Sequence, residues 1–238
     1  PLIVDVYPLS GGSSLMHPLF ANQAWAAMGY VVFSPSPPAP IGWQNAWKGT
    51  DSNRAALGLK GWRITTDHVQ SGIQLLADQG IIDRDRVCIF GFSNGGGVAA
   101  KLLSMLAKIR CAIIVAPAFA DWIRPEALNG LPLREYAGFP LSKDWTDRIA
   151  MSSVFDLAGV TTPTLIFAGD DDGDFVLDAI ELYQGLRRAK TDVTLVRYPG
   201  QGHLFTGAAL QDYWDRSSAF LKKHLGATQE TVTKRLLN

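Results

Sequence analysis

Short apolar runs rich in branched residues alternate with longer amphipathic segments along the chain. The runs predict β-strands at 2–7, 30–34, 86–91, 111–116, 163–168 and 193–198. Apolar residues recur every three or four positions between them, which predicts helices at about 18–28, 64–79, 94–107, 174–189 and 206–225. Strands that alternate with crossover helices form parallel sheets. We therefore expect an α/β protein with a doubly wound, mostly parallel sheet and helices on both faces.

Two long irregular segments interrupt this alternation. Residues 35–61 are rich in Pro, Gly, Ala and Trp, and residues 117–160 are longer than a crossover helix needs. Irregular insertions beside strand ends are where α/β proteins commonly keep their functional sites. Residues 226–238 are polar and predict a C-terminal tail, so the predicted domain covers residues 1–225.

The composition narrows the class of protein. The 238 residues contain 22 Lys and Arg against 22 Asp and Glu, so the formal net charge is zero and a basic nucleic-acid-binding surface is not expected. Hydrophobic residues make up 47% of the chain and charged residues 18%, which supplies one sizeable core and excludes a disordered protein. The longest apolar runs, such as 112–120, fall well short of the roughly 18 residues that a membrane span needs. We expect neither nucleic acid nor a membrane as a partner.

The cysteines and the first residues bear on where the protein works. Cys88 and Cys111 lie in apolar strand-like runs, so we expect buried free thiols rather than a disulfide. The sequence shows neither a disulfide framework nor a signal peptide, which favours the cytoplasm. The chain opens on Pro1 and enters an apolar strand at once, so we expect the natural protein to begin earlier.

The most informative motif joins the third predicted strand to the next helix. Gly91-Phe92-Ser93-Asn94-Gly95 fits Gly-x-Ser-x-Gly, the nucleophile elbow, in the strand-turn-helix setting that the motif requires. The turn presents the serine at the sheet edge, and the backbone N–H of Asn94 is placed to donate to an oxyanion. One alternative is a glycine-rich turn in which Ser93 only caps the helix. Another is a phosphate-binding loop, although that loop needs Gly-x-Gly-x-x-Gly and residue 93 is a serine.

Candidate partners for Ser93 follow the last two strands. A serine nucleophile needs a base and an acid that orients the base, and in this architecture they follow in the order Ser, Asp, His. The fifth strand ends in the acidic residues 169–174, and the sixth ends in 199–203, Pro-Gly-Gln-Gly-His. His203 is the predicted base, with an ordinary loop histidine as the alternative. The other histidines are expected to have capping, packing or solvated roles, since His17 opens a predicted helix, His68 lies inside one and His224 ends the last one.

The acidic cluster also allows a metal-binding interpretation. Several of its carboxylates fall at ligand positions of a calcium-binding loop: Asp170, Asp172, Asp174, Asp178 and Glu181. That loop requires a glycine at the position where Phe175 stands, so we predict no metal site. Acidic residues ahead of a helix also stabilise its N-terminus without any ligand.

Three segments together resemble the catalytic domain of the prolyl oligopeptidase family of serine peptidases: residues 91–96, 163–172 and 197–203. The resemblance runs from about residue 2 to residue 225. It implies an α/β-hydrolase fold with a triad of Ser93, Asp172 and His203, because the family's acid stands three residues after the glycine that closes its strand. It implies no cofactor.

The resemblance implies further features of the site and of the whole protein. Tyr7 stands where family members carry a tyrosine whose hydroxyl helps to bind the oxyanion, and packing at the strand end is the alternative. The Pro-rich residues 34–43 replace an Arg- and Gly-rich stretch of many members, which bears on substrate preference. The family also implies a β-propeller that would precede this chain and cover the site.

Two aromatic residues in the insertion after the fourth strand are candidates for the substrate pocket. Trp122 and Tyr136 are placed to line an apolar pocket, and ordinary core packing is an equal alternative for each.

These observations predict a serine hydrolase that cleaves peptide bonds through an acyl-enzyme. The alternatives are a carboxylesterase, because a triad does not distinguish an amide from an ester, and a non-catalytic scaffold. The expected partners are a peptide or a small ester, and an exposed sheet edge would allow a homo-oligomer.

Overall fold

The apolar runs of the sequence form a parallel sheet. The computed structural model describes residues 1–7, 21–35, 59–121, 123–124, 149–150 and 152–226. Within these residues the strands are β1 Leu2–Asp5, β2 Val31–Phe33, β3 Val87–Phe92, β4 Cys111–Val115, β5 Thr164–Gly169 and β6 Val193–Tyr198. The helices are α1 Ala21–Ala27, α2 Leu59–Asp78, α3 Asn94–Met105, α4 Phe175–Arg188 and α5 Gly207–Leu225, with a short 3-10 turn at Ser153–Phe155.

The strand order places the nucleophile strand near the centre of the sheet. The order is β2-β1-β3-β4-β5-β6, and every described pair is parallel. All carboxyl ends therefore meet at one edge, where β3, β5 and β6 deliver the loops after residues 92, 169 and 198. Strands β3, β4 and β5 are buried along their whole length, which explains why they read as continuous apolar runs.

Helices cover both faces of the sheet, as predicted. On one face, Trp25 of α1 and Leu221 of α5 pack with Ile3, Phe90 and other strand residues. On the other face, α2, α3 and α4 contribute the buried side chains Val69, Leu102 and Leu182. Among the described residues, no helix is both long enough and apolar enough to span a membrane.

All the predicted strands and helices are present among the described residues, most of them with shifted ends, and the 3-10 turn at Ser153–Phe155 was not predicted. Helix α2 begins at Leu59, five residues ahead of the predicted start, and α3 ends at Met105 because Leu106 is extended. Strand β1 ends at Asp5, although the N–H of Val6 still donates to the carbonyl of Phe90 over 2.9 Å.

The two cysteines face each other across β3 and β4. Cys88 is paired in register with Cys111, and both thiols are buried and free, as predicted. Burial raises the pKa of the Cys88 thiol well above its ordinary value, and the neighbouring Cys111 adds to that shift. Both sulfurs therefore act as small apolar side chains of the core.

Candidate active site

Ser93 occupies a strained turn between β3 and α3. Its φ of 56° and ψ of −122° lie outside the regions that residues with a side chain usually adopt. Backbone hydrogen bonds hold the turn. The N–H of Ser93 donates to the carbonyl of Val115 over 2.9 Å, and the carbonyl of Ser93 accepts from the N–H groups of Gly96 and Ala118, each at 2.8 Å. Such strain persists only where the surroundings hold it, and it is common at functional sites.

Two glycines of the elbow allow its close packing. A Cβ at Gly91 would collide with the carbonyl oxygen of Gly95, and a Cβ at Gly95 would collide with the carbonyl oxygen of Val6. The same Cβ at Gly95 would lie 3.2 Å from the ring of Tyr7. The elbow therefore packs directly against the end of β1, which brings Tyr7 beside it.

The three predicted triad side chains meet at the carboxyl edge of the sheet. The Nε2 atom of His203 lies 2.8 Å from the Oγ of Ser93. Its Nδ1 lies 2.9 Å from both carboxylate oxygens of Asp172. The side chain of Asp172 is 5% exposed and that of His203 is 34% exposed, so the acid is buried and the base remains partly accessible from solvent. This arrangement can move a proton from a serine hydroxyl to an imidazole whose tautomer the carboxylate fixes.

The loops after β5 and β6 fit against each other and set the distance between acid and base. The N–H of Asp171 donates to the carbonyl of Gln201 over 2.9 Å. A Cβ at Gly169 would collide with the carbonyl oxygens of Gln201 and Gly202, so this position requires glycine. Because these residues immediately precede Asp172 and His203, the fit between the loops places the carboxylate against the imidazole.

The sequence also matches a known protein family. The sequence model of the prolyl oligopeptidase family matches residues 19–228. This chain belongs to the prolyl oligopeptidase family. The family named from sequence resemblance is thereby confirmed.

Individual relatives agree with this assignment. The chain is 24% identical to the acylamino-acid-releasing enzyme of Mus musculus over 75% of its own length, and 24% identical to dipeptidyl peptidase 4 of Felis catus over 94%. It spans only 26% and 29% of the lengths of these two proteins. A solved structure, the puromycin-hydrolyzing peptidase of Mycobacterium tuberculosis, superposes with a TM-score of 0.75 at 18% identity, covering 95% of this chain and 34% of that one. The α/β-hydrolase fold is therefore established.

Two phenylalanine rings pack against the imidazole of His203. The ring of Phe92 lies 4.9 Å from that of His203, and the ring of Phe175 lies 5.1 Å away on the α4 side. Phe119 packs edge-on against Phe175 at 6.5 Å. The sequence analysis missed these contacts. The signal for Phe92 was its place next to Ser93, whereas Phe175 drew notice only as the residue that breaks a calcium-loop pattern.

Three carboxylates of the acidic cluster form ion pairs with arginines. Asp170 pairs with Arg197 at 2.7 Å, while Asp178 and Glu181 lie 2.8 Å and 3.4 Å from Arg124. No group of three or more potential metal ligands is found among the described residues. Burial raises the pKa of Asp178 to about 6, and the ion pair with Arg124 opposes that shift. The sequence analysis missed Arg124, which stands in an insertion with no motif around it.

The remaining predicted residues are placed as follows. Asn94 is the first residue of α3, so its N–H points out of the helix N-terminus beside Ser93. His68 lies in α2 and His224 in α5, as predicted. Three predicted residues lie outside the described part of the chain: His17, Trp122 and Tyr136.

Proposed function

We propose that this chain is the catalytic domain of a serine peptidase that cleaves peptide bonds through an acyl-enzyme. One observation carries the proposal: His203 lies within hydrogen-bonding distance of both Ser93 and Asp172, at the carboxyl edge of the sheet in a member of this family. Nucleophile, orienting acid and base then follow one another along the chain in the order that is typical of this fold.

The proposed reaction begins with proton transfer from Ser93. As the Oγ attacks the carbonyl carbon of the substrate, Nε2 of His203 takes the hydroxyl proton. Asp172 accepts a hydrogen bond from Nδ1–H, which fixes the tautomer and stabilises the imidazolium that forms. His203 then returns the proton to the leaving amine as the C–N bond breaks, and an ester to Ser93 remains. Water, activated by the same histidine, hydrolyses that ester and restores the hydroxyl.

Two donors are proposed for the oxyanion of the tetrahedral intermediate. The backbone N–H of Asn94 lies at the start of α3, where the helix leaves its first N–H groups without intrahelical acceptors. The hydroxyl of Tyr7 is the second proposed donor, since the packing of Gly95 against the Tyr7 ring brings this residue beside the elbow. Both would act mainly in the transition state, because negative charge develops only there.

Peptides are the proposed substrates because of the relatives. One relative is named as a peptidase, dipeptidyl peptidase 4, and another as an enzyme that releases acylamino acids, and both match this chain at 24% identity. The triad alone would also attack an ester. We propose Trp122 and Tyr136 as walls of the pocket for the substrate side chain.

Labelling with a fluorophosphonate tests the nucleophile. The wild-type protein should react at one residue, Ser93, and the Ser93→Ala variant should not react. Ser71→Ala, which changes an exposed serine on α2, is the control and should label like the wild type. Absence of labelling in the folded wild-type protein would indicate a non-catalytic scaffold.

Turnover of matched amide and ester substrates tests the reaction. The wild type should hydrolyse peptides, and Ser93→Ala should lower kcat by a factor of about 10⁴ to 10⁶ while the far-UV circular dichroism is unchanged. A protein that labels and hydrolyses esters but no peptide would be a carboxylesterase of the same fold.

A further inference from the structure

Arg124 is a largely buried cation that the proposed mechanism does not use. Its side chain is 11% exposed, and it follows β4 in the segment that leads away from the sheet. The guanidinium faces α4, where Nη2 lies 2.8 Å from Asp178 and Nε lies 3.4 Å from Glu181. A buried arginine in a network of this kind fixes the relative position of the segments that it joins.

One of its contacts reaches the turn that carries the candidate acid. Nη1 of Arg124 donates to the backbone carbonyl of Asp174 over 3.2 Å. Asp172 stands two residues before that carbonyl, and Phe175 follows it directly. These are the two residues that contact the His203 imidazole from this side, one by its carboxylate and the other by its ring. The carbonyl that Arg124 holds therefore lies between both contacts.

The segment between β4 and Arg124 also supports the other half of the site. The N–H of Ala118 donates to the carbonyl of Ser93 over 2.8 Å. Ala116 and Phe119 have φ values of 43° and 62°, so this stretch is strained and needs to be held from outside. The described residues of this segment, 116–121 and 123–124, thus touch the nucleophile turn at one end and the acid turn at the other.

Further polar contacts fix the end of the segment. The N–H of Asp121 donates to Oδ1 of Asp178 over 2.9 Å, and the carboxylate of Asp121 accepts from the N–H of Ile123 over 2.7 Å. Asp178 is therefore bound by both the backbone and the arginine of the same short stretch. Its side chain is 1% exposed, so bulk water does not compete for these contacts.

We propose that Arg124 is a positioning residue for the catalytic acid: by holding the Asp174 carbonyl it keeps Asp172 and Phe175 against His203. The inference rests on the proposed function, since it assigns Asp172 as the acid. Arg124 acts through the 172–175 turn and touches no reacting atom.

The test replaces Arg124 by lysine. Arg124→Lys keeps a positive charge between Asp178 and Glu181, so the fold is retained. A single ammonium cannot reach both carboxylates and the carbonyl as the planar guanidinium does. Arg216→Lys on α5 changes an arginine that is also paired with a carboxylate, Asp212 at 2.6 Å, and is the control.

Kinetics supply the first measurement. A displaced acid slows the chemical step without removing a substrate contact, so kcat of Arg124→Lys should fall on the order of tenfold to a hundredfold while KM stays within about twofold. Arg216→Lys should match the wild type. An unchanged kcat in Arg124→Lys, or a loss that follows only the fraction of unfolded protein, would overturn the inference.

A proton spectrum supplies a measurement that does not depend on turnover. The Nδ1–H of His203, hydrogen-bonded to Asp172, should give a strongly deshielded resonance that is absent from His203→Ala. That resonance should weaken or move upfield in Arg124→Lys and stay in place in Arg216→Lys. If the wild type shows the resonance but turns over no substrate, the proposed function fails, while the Arg124→Lys spectrum still decides the positioning role. A resonance unchanged in Arg124→Lys refutes that role.

Discussion

Neighbouring carboxylates in the loop after β5 differ in their partners, and this difference identifies the candidate acid. Asp170 pairs with Arg197 on β6, whereas Asp171 is exposed. Only Asp172 among these three lies against the imidazole of His203. The resemblance to the family implied the same residue, since the family's acid stands three residues after the glycine at the position of Gly169.

Substitution of each carboxylate by its amide tests this assignment. Asp172→Asn should lower kcat by about 10³ to 10⁴, because an amide cannot hold the required tautomer or stabilise the imidazolium. Asp170→Asn and Asp171→Asn should each stay within about tenfold of the wild type. Steady-state kinetics on one peptide substrate provide the comparison. A larger loss in either of these two variants than in Asp172→Asn would move the acid to that residue.

The proposed catalytic role of Tyr7 can be separated from its packing role by removing the hydroxyl oxygen alone. Tyr7→Phe keeps the ring beside Gly95 and removes the hydroxyl, so it should lower kcat about 10-fold to 10³-fold with little change in KM. Tyr183→Phe, on α4, is the matched control. Equal rates for Tyr7→Phe and the wild type would reassign Tyr7 to packing at the end of β1.

Residues whose role depends on partners far away in the sequence could not be predicted, whereas residues in local motifs could. Ser93 and His203 each stand in a recognisable stretch at a strand end, and the family resemblance selected Asp172 among the acidic residues 170–174. Arg124 becomes recognisable only through Asp174 and Asp178, about fifty positions further along the chain. Contacts of that kind are made by tertiary folding and leave no local pattern.

Helices and strands were easier to predict than their ends. Strands β3, β4 and β5 are buried throughout, so each reads as an uninterrupted apolar run between polar loops. The start of α2 was placed too late because Gly61, a poor helix former, stands near its first turn.

The fit between the β5 and β6 loops gives a prediction about whole elements. Gly169→Ala should place a methyl group against the carbonyls of Gln201 and Gly202 and push the His203 loop away from Asp172. We expect the free energy of unfolding to fall by about 1–3 kcal/mol, and kcat to fall at least about tenfold. Urea unfolding and steady-state kinetics measure the two effects.

Gly202→Ala is the matched control for this change. The nearest atom to a Cβ at Gly202 is the carbonyl oxygen of Asp171 at 3.9 Å, an ordinary contact. This variant changes the same loop without a collision and should keep both stability and rate near those of the wild type. Equal behaviour of Gly169→Ala and Gly202→Ala would show that the loops are not held by this contact.

Two basic side chains with little solvent exposure, Lys101 and Arg124, connect the sheet domain to described residues of its long insertion. Lys101 of α3, 3% exposed, donates to the carbonyl of Ala150 over 2.8 Å and pairs with Asp156 at 3.0 Å. Arg124 joins the other end of the insertion to Asp178 of α4. Both cations thus pair with carboxylates while being largely withdrawn from solvent themselves.

Asp178 makes the stability of the whole molecule depend on pH. Its pKa is about 6 in the folded protein, raised from 3.8 by burial. Between these two values the folded state retains a proton that the unfolded state has released. The free energy of unfolding therefore falls as the pH rises through this window, and above it both states are ionised and the contribution is lost.

The Asp178→Asn variant isolates this contribution, because asparagine does not titrate. Relative to the wild type, its free energy of unfolding should rise by about 2 kcal/mol between about pH 4 and pH 8, since each pKa unit corresponds to about 1.4 kcal/mol. Loss of the ion pair with Arg124 changes the free energy of unfolding by the same amount at every pH, because the guanidinium stays charged throughout. Asp171→Asn, which removes an exposed carboxylate from the neighbouring loop, should run parallel to the wild type. Urea unfolding at intervals of one pH unit measures the three profiles, and a constant difference between Asp178→Asn and the wild type would mean that folding does not shift the pKa of Asp178.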